Sequence, residues 1–428
     1  MTETLRLGIA GLGTVGAGVV KILRREAGLL TARTGKKLEI TAVSARSRDK
    51  DRGVPLSGYA WETDPVALAS RDDVDVFVEL MGGSDGPAKA ATEAAIAAGK
   101  DVVTANKALL ALHGQPLACA AEAGGTVLRY EAAVAGGIPV IKALTEGLAG
   151  NRITRVMGVM NGTCNYILTR MEATRQGYNA LFEECGRLGY LEADPTLDVG
   201  GIDAGHKLAL LASIAFGTQV DFGAVALQGI QSITLQDIDR AADMGYKIKL
   251  LGVAQMTGRG LEQRMTPCLV PVGSPLGQLD GGTNMVILEG DSVGQIVLRG
   301  AGAGEGPTAS AVLSDICDIA RGIRLPTFGQ PAAGLEAAPP ASAASPAPYY
   351  LRLTLKDKPG ALAKVATALG DNGISIDRMR QYKHDDQDVP VLIVTHVTAR
   401  PSLDAALAAL PATGVVTGLP VALRIEDV

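Results

Sequence analysis

The sequence predicts an α/β protein in three parts: a parallel, doubly wound sheet at the N-terminus, a mixed α/β domain in the middle, and a small ferredoxin-like module at the C-terminus. Three observations predict it. Apolar runs alternate with helical stretches through the first 134 residues, the pattern of parallel strands joined by crossover helices. The alternation breaks after residue 135, where Gly/Ile/Pro turns and later strand-like runs suggest a mixed arrangement. A Pro/Ala/Ser-rich stretch, GQPAAGLEAAPPASAASPAP (329–348), then sets off a final segment with its own strand and helix order.

In the first part (1–134), LRLGIA (5–10) reads as a buried strand, followed by a Gly-rich turn and a helical stretch over 15–30. LEITAVSA (38–45) and DVDVFVEL (73–80) are strands, GPAKAATEAAIAAG (86–99) a helix, and DVVTA (101–105) a strand. ALLALHGQPLACAAEAG (108–124) is helical, and TVLRYEAAV (126–134) closes the series as a strand. The middle part (135–306) holds strand candidates LGVAQM, TPCLVPV, NMVILEG and GQIVLRG. A helix with Pro307 near its start is expected over 307–325, returning to complete the first domain. Residues 329–348 carry a single charge and cannot bury a core, so they read as a flexible linker. Residues 349–428 give strand, helix, strand, strand, helix, strand, the βαββαβ order of a ferredoxin-like fold and an independent module.

Composition narrows the function. The chain has 428 residues, 47% hydrophobic and 20% charged, a globular mix. A net charge of −5 gives no electrostatic reason to expect nucleic acid. No apolar run approaches about 18 residues, so no membrane span is expected. The N-terminus runs into a strand without an export signal, and a cytoplasmic location is expected. The five cysteines are scattered and odd in number, against a disulfide framework, and the four histidines do not cluster. A transition-metal centre is not expected.

Three places carry chemistry. Gly11-x-Gly13-x-x-Gly16, with Thr14 and Val15 inside it, sits between a strand and a helix. Glycines there allow a tight turn and close approach of backbone to a pyrophosphate, which a helix N-terminus favours. The second strand is followed by Arg46, Ser47, Arg48 and Lys50 instead of the acid that would bind the ribose of NAD. Cations at that place suit a 2′-phosphate and hence NADP over NAD. Lys107 follows the strand DVVTA, at the strand end where a doubly wound sheet meets its ligand. Finally, EADPTLDVGGIDAGHK (192–207) packs Glu192, Asp194, Asp198, Asp203 and Lys207 ahead of an apolar helix. Asp203 and Lys207 share a helix face with Leu210, Leu211 and Ile214. A surface ion pair is the structural alternative, but the cost of burying charge on that stripe tilts the reading toward a site.

Taken together, GLGTVG (11–16), VELMGG (78–83), TANKALLA (104–111), EAAVAGGIPVIKAL (131–144), GVMNGTCNYILT (158–169), the 188–212 block and RGAGAGEGPTASAV (299–312) resemble the homoserine dehydrogenases that carry a C-terminal ACT domain. The resemblance covers nearly the whole chain. It implies a Rossmann-type first domain, a middle catalytic and dimerisation domain, and a regulatory module. The implied reaction is reversible NAD(P)H-dependent reduction of L-aspartate 4-semialdehyde to L-homoserine, a step toward threonine and methionine. The implied roles place Glu192 and Asp198 at the substrate amino group. Asp203 and Lys207 meet the reacting oxygen with Lys207 as proton donor, and Lys107 stands near nicotinamide and substrate. The resemblance also implies a sodium or potassium site from the Glu131 side chain and the carbonyls of Val134, Gly136 and Ile138, and a cofactor contact at Gly302. L-Threonine is the implied effector, at Asp357, Lys358, Gly360, Asn372 and Gly373, and a homodimer or homotetramer the implied assembly. Two alternatives stay open: another NAD(P)-dependent oxidoreductase of amino-acid metabolism, for example one acting through a cysteine thioester, and a non-catalytic amino-acid sensor.

Overall fold

The first sheet has six parallel strands, Thr4–Ala10, Lys37–Ser44, Ala60–Glu62, Val76–Glu79, Asp101–Thr104 and Leu128–Arg129. Taken in chain order they lie 3-2-1-4-5-6 across the sheet. The direction of winding reverses between the first and fourth strands, and such a switch point opens a ligand crevice at the strand C-termini. This computed structural model describes residues 2–191, 194–382 and 388–428. The short strand Ala60–Glu62 has too few residues for a period-2 signal. The strand expected over 126–134 lasts only two residues before a 3₁₀ turn, Glu131–Ala133. The chain leaves the sheet there because the Glu131 amide donates to Asp315 Oδ2 (2.8 Å) instead of to a neighbouring strand.

The helix expected near 307–325 runs Glu305–Ala320 and packs on the first domain. Its Ala309, Val312 and Ile316 share a core with Leu7, Ile9 and Val19. A Cβ on Gly18 would fall 2.8 Å from Glu305, so only glycine lets helices Thr14–Arg25 and Glu305–Ala320 come this close. In the middle domain, helix Ile202–Phe216 is buried along most of its length and packs against strands Ile153–Val159 and Tyr246–Thr257 and helix Lys107–Ala123. The helix that carries Asp203 and Lys207 is thus seated between the two domains.

The C-terminal segment has the expected βαββαβ order, Tyr349–Lys356, Ala361–Asp371, Ile376–Gln381, Asp388–Thr395, Arg400–Ala409 and Val416–Ile425. It does not stand apart. Its last strand pairs in parallel with Gly260–Pro271, so a single mixed sheet runs through the middle domain into the module. Arg264 donates to Glu426 (2.6 Å) with both side chains buried, and Arg352 donates to the fully buried Asp237 (2.6 Å). The expectation of a flexible linker over 329–348 is also corrected. Ala332, Leu335 and Ala347 are buried, and the chain forms isolated bridges Thr218↔Glu336, Leu261↔Pro340 and Ala347↔Thr398. Small side chains make this possible. Extended backbone lies close against the protein and finds partners there, as when Glu122 accepts from the Ala332 amide (2.7 Å). No helix among the described residues is long and apolar enough to cross a membrane.

Candidate active site

The glycine turn sits at the switch point. Gly11 has φ +100°, and a Cβ there would fall 2.4 Å from the Leu80 backbone; one on Gly16 would fall 2.0 Å from the Gly11 oxygen. These two glycines are demanded by the protein itself. A Cβ on Gly13 would meet nothing within 4 Å. Gly13 is the N-cap of helix Thr14–Arg25 without a side-chain cap, which leaves the first amides of that helix for a ligand.

Within the charged block, Asp203 and Lys207 pair across one helical turn, as their spacing suggested. Asp203 and Lys207 lie in the first turns of helix Ile202–Phe216. Lys207 Nζ donates to Asp203 Oδ2 (2.8 Å) and to the Met160 carbonyl (2.8 Å). Lys107 Nζ lies 2.9 Å from Asp203 Oδ1, so one carboxylate is shared by two ammonium groups. Burial opposes ionisation of Asp203, but the charges of Lys207 and Lys107 outweigh it and hold its carboxyl well below the usual range. Burial also lowers the pKa of His206, whose ring lies tilted at 51° to that of Phe222 with centroids 4.2 Å apart.

Two supports escaped the sequence reading. Asn161 Nδ2 donates to Asp198 Oδ1 (3.0 Å) and lies 3.4 Å from Asp203 Oδ2. Its Oδ1 caps helix Gly162–Thr174 by accepting from the Cys164 amide (2.8 Å). An Asn directly before a helical stretch is an N-cap signal that could have marked it. The second support is Glu79, fully buried at the end of its strand. It accepts from the amides of Met81 (2.7 Å) and Gly82 (3.2 Å) and from Thr104 Oγ1 (2.7 Å). Thr104 Oγ1 in turn accepts from the Asn106 amide (3.0 Å), and Asn106 caps the helix that Lys107 begins. This chain of bonds fixes where Lys107 starts.

Val15, Lys107, Asp198, Asp203, Lys207 and Gly302 all line one cleft of about 670 Å³, within the usual size of a small-molecule site. Cys164 is no candidate for a thioester: it is buried, burial pushes its thiol well above the ordinary value, and its Sγ donates to the Asp198 carbonyl (3.3 Å). Glu192 lies outside the described residues.

Three family models match stretches of the chain. Residues 11–131 match the homoserine dehydrogenase NAD-binding domain, 139–317 the homoserine dehydrogenase family, and 349–411 the ACT domain. The chain is 42% identical to the homoserine dehydrogenase of Neisseria gonorrhoeae, with 99% of each covered. It is 40% identical to a homoserine dehydrogenase of known structure from Thiobacillus denitrificans, with TM-score 0.94 and 99% of each chain covered. The chain belongs to the homoserine dehydrogenase family. It is an oxidoreductase acting on a CH–OH group, with a nicotinamide cofactor domain and an ACT domain. A more distant neighbour, a hyperthermophilic archaeal homoserine dehydrogenase mutant described in complex with NADPH, is 25% identical with TM-score 0.63, covering 74% of this chain and 97% of its own.

The other candidate positions fall into place unevenly. Arg46 is exposed two residues beyond its strand, while Arg48 and Arg52 lie 5.9 and 5.7 Å over the ring of Trp61. Arg52 also donates to the Leu12 carbonyl (3.0 Å), tying this basic loop to the glycine turn. Glu131 is buried, and both its oxygens accept backbone amides, of Ile141 and Lys142 (2.9 Å each). Burial, and then the Asp315 carboxylate, push its carboxyl up to about 7. Among the described residues no cationic side chain pairs with it, and no hydrogen bond ends on the carbonyls of Val134 or Gly136; the Ile138 carbonyl accepts from Val140 (2.8 Å). The turn between them holds Ala135 and Gly136 at φ 57°. A buried carboxylate short of positive charge beside free carbonyls is a donor set that fits a hard monovalent cation. Gly136 lies against Gly302, where a Cβ would fall 2.4 Å from the Gly302 oxygen, so the turn after Glu131 and the loop before helix Glu305–Ala320 touch.

The effector candidates divide. Asp357, Lys358 and Gly360 precede helix Ala361–Asp371, while Asn372 and Gly373 follow it. Eleven helical residues separate the two turns by roughly 16 Å, so one chain does not bring them together. Asn372 Nδ2 donates to the Ala368 carbonyl (2.8 Å), and Gly360 and Gly373 take positive φ, all of which is turn and cap chemistry.

Proposed function

We propose that this enzyme interconverts L-aspartate 4-semialdehyde and L-homoserine with a preference for NADP(H), using Lys207 as the proton donor. The observation that carries the reading is the buried carboxylate of Asp203, held between Lys107 and Lys207 in the cleft. Bound nicotinamide supplies the hydride in reduction and accepts it in oxidation. The chain's own residues do the rest. Lys207 holds the proton that the reacting oxygen gains on reduction and takes it back on oxidation. Lys107 adds a second positive charge, so negative charge growing on that oxygen meets donors already in place. Asp203 keeps both ammonium groups aimed. Asp198, buried and fixed by Asn161, is suited to take the substrate ammonium. Family resemblance assigns Glu192 the same task.

The residues Gly11, Gly13, Thr14, Val15 and Gly16 would seat the pyrophosphate, with Arg46 at the 2′-phosphate and Gly302 at the nicotinamide end. The basic loop tied to the turn supports NADP, as does the NADPH complex of the archaeal neighbour. Glu131, Val134, Gly136 and Ile138 would hold sodium or potassium, whose charge would offset the buried carboxylate. L-Threonine is the proposed effector through the ACT domain, the assembly a homodimer or homotetramer, and the location cytoplasmic. The test is homoserine-dependent reduction of NADP and of NAD, with and without threonine and with sodium or potassium exchanged for a bulky cation. Failure to reduce either cofactor would refute the activity; better efficiency with NAD would refute the preference alone.

A further inference from the structure

Asn284, at the start of strand Thr283–Gly290, lines the cleft beside Gly302 and Gly162. It is 1% exposed, and among the described residues its Oδ1 has no hydrogen-bond partner. The flanking loops are shaped around it. A Cβ on Gly302 would land 2.0 to 2.5 Å from the Asn284 amide atoms, and one on Gly162 would lie 3.5 Å from Oδ1. A buried amide oxygen with no donor in the protein is unfavourable. An apolar side chain of similar size would avoid that penalty, so the oxygen makes physical sense where a ligand brings the donor.

On the proposed function two ligands would enter this cleft, and they bring different donors. The amino acid brings a charged ammonium, which is matched by buried carboxylate such as Asp198. The nicotinamide brings a neutral carboxamide N–H, which is matched by a neutral oxygen. Asn284 stands against Gly302, in the loop that leads into helix Glu305–Ala320, and Val15 of the nucleotide turn lines the same cleft. We propose that Asn284 recognises the nicotinamide carboxamide, its Oδ1 accepting from the carboxamide N–H and so fixing which face of the ring is turned toward the substrate. This rests on the reading that the nicotinamide end of the cofactor occupies this cleft.

The test compares Asn284→Ala and Asn284→Ser with the wild type, using NADP and its 3-acetylpyridine analogue, in which a methyl ketone replaces the carboxamide and the N–H donor is gone. The alanine variant should lose about tenfold in kcat/KM for NADP, the worth of one buried hydrogen bond. With the analogue it should stay within about twofold of the wild type, since no such bond exists to lose. The KM for homoserine should not change. Equal losses with both cofactors, or a loss confined to the homoserine KM, would overturn the assignment. Thermal unfolding without ligand checks the fold, and if the alanine variant does not fold, the serine variant carries the same comparison. A wild-type enzyme that oxidises homoserine with neither NADP nor NAD would instead overturn the functional reading beneath it.

Discussion

Asp203→Asn keeps the shape of the side chain and removes the charge that two lysines share. The contacts are 2.9 Å to Lys107 and 2.8 Å to Lys207. Removing one partner from a buried ion pair costs about 3–5 kcal/mol, because the charge left behind is uncompensated. The Lys107 side chain is 28% exposed and its ammonium can hydrate, whereas Lys207, at 11%, is largely shut in. The loss therefore falls mainly on Lys207, and a destabilisation of about 3 kcal/mol is expected. The pH dependence follows from the direction of the shift. The folded carboxyl lies below its ordinary value of 3.8, so its contribution is complete above that pH and is lost as pH falls toward the folded pKa. The variant should be less stable than the wild type at pH 7, with the gap narrowing in acid. Turnover should fall about 10²–10³-fold, the scale for losing a preorganised charge at a reacting oxygen. Urea unfolding at pH 7 and at about pH 2.5, below the ordinary carboxyl value, with kcat for homoserine oxidation across pH, measures both. A variant with unfolding midpoint unchanged and kcat within about threefold of wild type would refute the argument.

Further outcomes are expected. Lys207→Ala should lower kcat by at least about a hundredfold while leaving cofactor Kd nearly unchanged, as read by turnover and fluorescence titration. Arg46→Ser should raise KM for NADP severalfold and leave that for NAD unaltered; a parallel rise in both would remove Arg46 from the 2′-phosphate site. For Glu131, the folded carboxyl titrates near 7, above its ordinary 4.5. Its favourable contribution is thus complete below pH 4.5 and lost as pH rises through 7. A cation bound there should raise the unfolding midpoint more at pH 8 than at pH 5, against a bulky-cation control, and Glu131→Gln should abolish that difference. Glu426→Ala would strip the buried Arg264 of a partner at 2.6 Å. Arg264 keeps Glu262 at 2.9 Å, so the loss should be about 2 kcal/mol, the scale of one charge-assisted hydrogen bond, although Glu426 lies in the C-terminal module.

Much of the site was legible because its signals are local. The glycine turn follows a strand and opens a helix, and the close contacts of Gly11 and Gly16 explain the demand for glycine at those positions. Asp203 and Lys207 are one helical turn apart on a stripe continued by leucines, so their pairing and burial follow from the period of the helix. The supports were not legible. Glu79 reaches Thr104, Asn161 reaches Asp198, and Lys107 reaches Asp203 across long stretches of chain. Nothing in the local pattern of either partner announces the other.

The same division accounts for the errors in architecture. Residues 329–348 are poor in groups that build a core, which their composition states plainly, yet their extended backbone finds partners on surfaces supplied by Leu261, Glu122 and Thr218. The C-terminal module follows its own strand and helix order, but its last strand adds to a sheet begun in another domain. By itself, then, the sequence determined the element types, the nucleotide turn, the helix face carrying Asp203 and Lys207, and the family, since all of these reside in short-range pattern. Only the tertiary structure decided that two lysines share one carboxylate, that burial and Asp315 raise the Glu131 carboxyl, and that among the described residues Asn284 Oδ1 in the cleft has no hydrogen-bond partner. Those facts depend on distance and burial between segments far apart in the chain, and it is packing, not pattern, that sets them.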